Sequence, residues 1–364
     1  MVDLGAESRR PRTLGRRRKL LFSVLVIAVF LVLLELGFRS LEVSLGLPAR
    51  RIEKAQAYAR HPSFYFNEPH PYTLYTRNRS LSGVSSLGFR ERELQIEKAP
   101  GVVRIACLGG STTWGSNSLG RLGAYPHYLE KALQERFGEA YEVANWGMPG
   151  WLSSESMINY FLKVQDFAPD IVIIHHAVND VVARNRPGFR RDYSHHRQPW
   201  TDRPLGWVNR TLASFSHLYC WILLETGTVR LDVEAWVDRP ETGRSVFEAS
   251  GELSLETAEP YRRNIRTICE HVRLRGGVPV LLTMPVRPGT PDDWLRQGIE
   301  QHNQILRQLE GDDVAVLVDL AERVKSSARD LEPHFSDIVH MRPYGHRLKA
   351  LFLLEALVAA DVLP

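Results

Sequence analysis

Arg104-Ile-Ala-Cys-Leu-Gly-Gly-Ser-Thr-Thr-Trp-Gly115 reads as an apolar strand that runs into a glycine turn and presents Ser111 just beyond it. Strand-like runs recur at 102–108, 141–145, 171–178, 278–284 and 314–320, and their near-continuous Val, Ile and Leu content suits strands buried on both faces. Between them, 126–137, 153–165, 260–275 and 292–309 carry apolar residues at helical spacing, and a last helix is predicted over 344–359. In the third of these, Ile265, Ile268, Cys269 and Val272 share one face, and Gly276-Gly277 ends the helix as a left-handed cap would. Alternation of this kind predicts an α/β domain, a parallel sheet covered by helices on both sides.

The chain has 364 residues, 44% hydrophobic and 24% charged, enough for one large domain with extensions. Its net charge of +4 is local: residues 1–39 carry +5, which leaves the remainder near −1. A surface built to neutralise nucleic-acid phosphates is therefore not expected. Cys107, Cys220 and Cys269 are too few and scattered for a disulfide framework, although a Cys220–Cys269 bridge stays open.

Residues 1–19 form a basic tail, with Arg9, Arg10, Arg12, Arg16, Arg17, Arg18 and Lys19 leading into an apolar run over 20–38. At ~1.5 Å per residue that run reaches roughly 28 Å, enough to cross a hydrocarbon core once with Glu35 near the interface. A cleaved signal peptide is the competing reading, but the run is long for one and no clear cleavage site follows. A twin-arginine signal at Arg17-Arg18 fits poorly. An uncleaved anchor with a cytoplasmic N-terminus is expected, which puts everything after it in the periplasm or outside the cell. Residues 39–100 lack clear periodicity and read as a juxtamembrane stalk and wrapping extension. The main domain is expected over 101–364, interrupted at 183–258 by a proline-, arginine- and tryptophan-rich insertion far longer than the ordinary link of about 2–6 residues.

In open parallel sheets, ligands bind beyond the carboxyl ends of the strands. Ser111 follows the first strand, Asn145-Trp-Gly147-Met-Pro-Gly150 the second and Ala177-Val-Asn179-Asp180 the third, while Asp337-Ile-Val-His340 lies near the C-terminus. A hydroxyl is a poor nucleophile until an imidazole takes its proton and a carboxylate orients that imidazole. Each residue alone has a local explanation: a turn serine or helix cap, glycines for a tight turn, an Asn-Asp cap, a surface Asp–His pair with His334 and His346 nearby. Their joint appearance at strand ends favours chemistry. Gly109-Gly-Ser-Thr-Thr113 lacks the ending of a phosphate-binding loop. His175-His176 would point to opposite faces of a strand, and zinc is expected neither there nor at His195-His196.

Over residues 101–364 the chain resembles the SGNH subgroup of the GDSL-type hydrolases, and the anchor with Gly88-Phe-Arg90 resembles its membrane-anchored bacterial members. The family's four blocks appear as Gly109-Gly110-Ser111, Asn145-x-Gly147-x-x-Gly150, Ala177-x-Asn179-Asp180 and Asp337-x-x-His340. Gly110 stands where the family usually has Asp, and Ala177 where it usually has Gly. The resemblance implies a flavodoxin-like three-layer α/β/α sandwich. It implies Ser111 as nucleophile, His340 as base and Asp337 as its orienting partner. The amides of Ser111 and Gly147 with the Asn179 side chain would form the oxyanion hole. No metal or organic cofactor is implied. The expected activity is hydrolysis of short O-acyl groups, such as acetyl, on small molecules or envelope glycans. Acyl transfer to a glycan, or a non-catalytic glycan- or protein-binding role in the envelope, are the alternatives.

Overall fold

Side chains along a strand alternate between two faces, so a fully apolar strand such as Val103–Gly109 needs cover on both. In the computed structural model of the chain, residues 15–45, 52, 56, 67–116, 121–186, 188–197, 206–226, 228, 253–291, 293–326 and 331–363 are described. Arg9, Arg10 and Arg12 of the basic tail, most of the stalk between 46 and 66, and stretches 198–205 and 229–252 of the insertion lie outside them.

The principal elements begin with α1 (Arg16–Leu45), β1 (Asn67–His70), β2 (Leu74–Arg77), β3 (Val103–Gly109), α2 (Ser111–Trp114) and α3 (Tyr125–Phe137). Next come β4 (Tyr141–Gly147), α4 (Ser153–Leu162), β5 (Ile171–His175), α5 (Val178–Arg184), α6 (Trp207–Phe215) and α7 (His217–Glu225). The chain finishes with α8 (Glu259–Leu274), β6 (Val278–Leu282), α9 (Trp294–Gly311), β7 (Val316–Val318), α10 (Leu320–Ser326) and α11 (Pro343–Ala359). Two compact units result: 1–61 with 205–238, and 62–204 with 239–364.

The second unit holds a five-stranded parallel sheet in the order β4-β3-β5-β6-β7, the doubly wound flavodoxin-like arrangement. Ile105, Cys107, Val143, Ile173 and Val280 point to a layer formed by Tyr125, Leu129 and Leu133 of α3 with Leu353 and Leu357 of α11. Ala106, Leu108, Trp146, Ile174 and Leu281 point the other way, onto Tyr160, Ile265, Ile268, Cys269 and Leu306. Period-two alternation thus yields three layers. Gly109 pairs in register with Gly147 on one side and His175 on the other, so the turns after β3, β4 and β5 leave the sheet at one level.

Several boundaries differ from those read in the sequence. β5 stops at His175, three residues before the expected end, because Val178 already opens α5. β7 is only Val316–Val318: the Val314 amide closes α9 on Leu309 O, and Leu320 starts α10. α8 ends as expected, with Gly276 at φ +80° and the Gly277 amide donating to Val272 O at 3.0 Å. The 39–100 segment carries an antiparallel hairpin, β1 against β2. Tyr75 from that hairpin is buried, and Phe89 packs edge-on against Trp146 and Trp151 at 5.1 and 5.6 Å. No disulfide joins Cys107, Cys220 and Cys269, and all three are buried. In the first unit, α1 is long and apolar enough to cross a membrane, and none of its apolar window is buried.

Candidate active site

β3 ends at Gly109 and the chain turns at Gly110 into α2, which makes Ser111 the first helical residue. The leading amides of a helix have no intrahelical acceptor, so the Ser111 N–H is left pointing ahead of the turn. The far end of this one-turn helix is held from the 39–100 segment. Arg90 donates to Gly115 O at 2.8 Å and Trp114 O at 3.4 Å, and its guanidinium lies 4.6 Å from the Trp114 ring centroid.

The C-terminal block meets the serine across the molecule. His340 Nε2 is 2.7 Å from Ser111 Oγ, and His340 Nδ1 is 2.8 Å from Asp337 Oδ2. The Asp337–His340 turn is itself fixed: the Val339 and His340 amides donate to Asp337 Oδ1 at 3.0 and 2.8 Å, and the Ser336 amide donates to His340 O at 2.8 Å. Arg287 N ties the loop to the sheet by donating to Ile338 O at 2.8 Å. Burial alone would raise the Asp337 carboxyl, but the hydrogen bonds from the His340 ring and the two amides outweigh it and hold the pKa below its ordinary value. A carboxylate kept ionised in that place favours the Nδ1–H tautomer, in which Nε2 accepts the hydrogen bond of the Ser111 hydroxyl.

Asn179 sits in the first turn of α5 and donates from Nδ2 to Trp151 O at 2.8 Å. A Cβ built on Gly110 would lie 2.8 Å from that same Nδ2, so the carboxamide stands directly over the serine turn. Ala177, which stands where the family usually has Gly, buries its methyl with Val181, Met284, Ile299 and Val339.

Gly147 differs from the expectation. Its N–H donates to Asn145 Oδ1 at 3.0 Å, and Asn145 Nδ2 in turn donates to Thr113 O at 3.0 Å. The amide is thus committed inside the fold. The residue is nevertheless required to be glycine, since a Cβ would stand 2.5 Å from Trp114 N.

Two supports hold the site, of which Glu91 is not singled out in the sequence and Asp180 reads there only as part of an Asn-Asp cap. Glu91 is buried and accepts from Asn145 N at 2.8 Å, which joins the 88–92 segment to β4, the strand next to the one that leads to Ser111. Asp180 is fully buried and accepts from Ser153 N at 3.0 Å and Ser153 Oγ at 2.6 Å, while Ser153 Oγ accepts from Asn264 Nδ2 at 3.0 Å. It therefore caps α4 rather than its own helix and pins α5, hence Asn179, against it. Desolvation pushes the Asp180 pKa up to about 7, with the Ser153 hydrogen bonds pulling against it. For Glu91 the signal in the sequence was the run Gly88-Phe-Arg-Glu-Arg92, charge set beside an aromatic.

His175 Nδ1 meets Leu282 O at 3.0 Å and His176 Nε2 meets Ser156 Oγ at 2.7 Å. His334 packs against the Tyr344 ring. No group of three or more His, Cys, Asp and Glu poised to hold a metal occurs among the described residues. A cavity of about 720 Å³ lined by Arg287, Arg296, Gln297 and Gln301 contains none of Ser111, Asp337 and His340. The Asp337 side chain is 48% exposed, so the three open onto the surface.

The model of the GDSL-like lipase/acylhydrolase family matches residues 107–348. Among solved structures, the acetylxylan esterase of Geobacillus stearothermophilus is 17% identical, with 72% of this chain and 96% of that one covered at a TM-score of 0.46. A lipolytic protein of the G-D-S-L family from Desulfitobacterium hafniense is 14% identical over 70% of this chain and 99% of its own, at a TM-score of 0.44. An α/β hydrolase from the Lake Arreo metagenome is 15% identical over 72% and 96%, at 0.46. No curated protein matches the sequence.

Proposed function

From the premise that this chain belongs to the GDSL-like lipase/acylhydrolase family, and is a carboxylic ester hydrolase, we propose that it works through an acyl-serine intermediate on Ser111. The observation that carries this reading is the continuous line Asp337–His340–Ser111, with contacts of 2.8 and 2.7 Å. Ser111 Oγ attacks the ester carbonyl carbon as its proton passes to His340 Nε2, and Asp337 stabilises the imidazolium. Negative charge gathers on the former carbonyl oxygen. The donors we assign to it are the Ser111 amide and Asn179 Nδ2. Gly147 shapes the turn and is not assigned as a donor. Collapse breaks the bond to the alcohol, which leaves with the proton from His340. Water then attacks the acyl-serine, giving a proton to His340, and the carboxylic acid departs as Ser111 regains its hydrogen.

We assign α1 the role of an uncleaved anchor over 20–38, with the 101–364 domain outside the cytoplasm, on the strength of the basic residues before the span and its unburied apolar surface. The substrates proposed are short O-acyl esters, acetyl above all, on extracytoplasmic glycans. A surface-open triad is compatible with a large alcohol portion carrying a small acyl group.

Ser111→Ala tests the nucleophile. The variant is expected to stay folded and lose about 10⁴–10⁶-fold in kcat on p-nitrophenyl acetate. It should also escape labelling by a fluorophosphonate; retained turnover or labelling removes Ser111 from its role. A graded series of p-nitrophenyl esters and an acetylated glycan, each with and without a glycan acceptor, reads acyl length and separates hydrolysis from transfer.

A further inference from the structure

The first unit contains a surface that a water-soluble fold does not build. α6 carries Val208, Leu212 and Phe215 at i, i+4 and i+7, which puts them on one helical face, with Trp207 beside them. That face points outward: the four residues are 56, 46, 76 and 74% exposed in that order, Trp207 last. The opposite side packs inward, with Ala213 buried and its carbonyl receiving the Cys220 thiol of α7 at 3.1 Å. An amphipathic helix in water turns its apolar stripe to the core, and this one does the reverse.

The hairpin of α6 and α7 is fastened to α1 where the apolar run ends. Glu35, the first charge after that run, accepts from Ser216 Oγ at 2.7 Å, His217 N at 2.8 Å and Leu218 N at 3.2 Å. It so satisfies the leading amides of α7. Arg39, one turn on, donates to Glu35 and to Phe215 O at 3.0 Å. Phe38 meets Trp221 with ring centroids 5.6 Å apart. The carbonyl of Phe215, on the exposed apolar face, is therefore bonded to the helix whose Leu20–Leu34 surface is bare. The exposed face of α6 is thus tied to α1 just past the end of its apolar run.

We propose that α6 is an interfacial foot: its Trp207, Val208, Leu212 and Phe215 face lies in the lipid headgroup region, at the rim where α1 leaves the bilayer. The proposal rests on the reading of α1 as an anchor. Lipid is the occupant because the exposed face is fastened to α1 at Glu35 and Arg39, where the proposed span ends, and because tryptophan and phenylalanine at a helix edge suit the interface. The charged residues at the junction are consistent with that depth, since Glu35 and Arg39 neutralise each other at 2.8 Å.

The test uses the full chain reconstituted in phosphatidylcholine vesicles whose acyl chains are brominated close to the headgroup. Flotation of the protein with the vesicles checks the anchor separately. Tryptophan fluorescence should be quenched relative to unbrominated vesicles, and Trp207→Phe should lose most of that quenching, whereas Trp221→Phe, packed on Phe38, should keep most of it. A chain that floats but shows no Trp207-dependent quenching overturns the foot and leaves the anchor standing. The foot is overturned equally if Trp207→Phe changes sedimentation and not quenching, since the face then meets a second copy of the chain. A chain that does not float overturns the anchor, and the foot falls with it.

Discussion

At Gly147 a Cβ would stand 2.5 Å from the Trp114 backbone nitrogen and 2.8 Å from Thr113 Cβ, so the end of β4 passes under α2 only without a side chain. Gly147→Ala must push that helix, because the obstacle is backbone. A loss of about 1–3 kcal/mol of stability is expected by chemical denaturation, with a fall in kcat from the displaced serine. Asn179 makes a different kind of contribution. Asn179→Ala should cost about 2–4 kcal/mol of transition-state stabilisation, read as a drop of roughly 10²–10³ in kcat with the fold intact. An undiminished rate would take it out of the oxyanion site. Ser111, Asp337 and His340 were legible as a set because acyl transfer demands those residue types and leaves few substitutes. The commitment of the Gly147 amide was not, since a hydrogen bond to Asn145 Oδ1 two residues back gives no signal in residue type or spacing.

The one-turn helix α2 is too short to hold its own direction and takes it from other elements. Arg90 binds its last carbonyls and stacks on Trp114, a cation placed at the negative end of the helix. Arg90→Ala is expected to lower kcat about 10- to 100-fold with KM nearly unchanged, because the serine loses its aim while substrate contacts stay. Arg90→Lys should recover part of that loss by restoring one donor. An effect on KM alone would show that Arg90 touches substrate instead. Elements of this kind define what was hard to read. β3, β5 and β6 announce themselves through unbroken apolar runs, and α8 through its stripe and Gly276 cap. The β1–β2 hairpin does not: Asn67-Glu-Pro-His70 has no alternation of apolar and polar residues, and its partner contributes mainly Tyr75 to the core. α6 was obscured for the opposite reason, since its apolar face is present but has no core to face.

Across the whole molecule, desolvation favours the neutral form of four buried histidines and of the buried Asp180. Desolvation lowers the pKa of His176 and His346 to about 3 and holds His175 and His302 well below the ordinary 6.5. A histidine depressed in the folded state stabilises it above the unfolded pKa, and that stability drains away as pH falls toward the folded value. Asp180 works in the opposite sense: its pKa, raised from 3.8 to about 7, favours the fold at low pH and loses that contribution as pH rises through 7. Four histidines against one aspartate leave the unfolded chain the greater proton acceptor between about pH 6.5 and 4. Stability should therefore fall steeply below pH 6.5, and urea midpoints measured at pH 7, 6 and 5 check it. His346 supplies the dissecting variant, because neither ring nitrogen has a hydrogen-bond partner among the described residues. His346→Leu should flatten the acid-side slope by about one proton, whereas Asp180→Asn should steepen it and gain stability relative to the parent, on the order of 2–4 kcal/mol, as pH rises from about 4 to 7. Parallel pH curves for all three proteins would show that these buried groups do not set the acid limit of the fold.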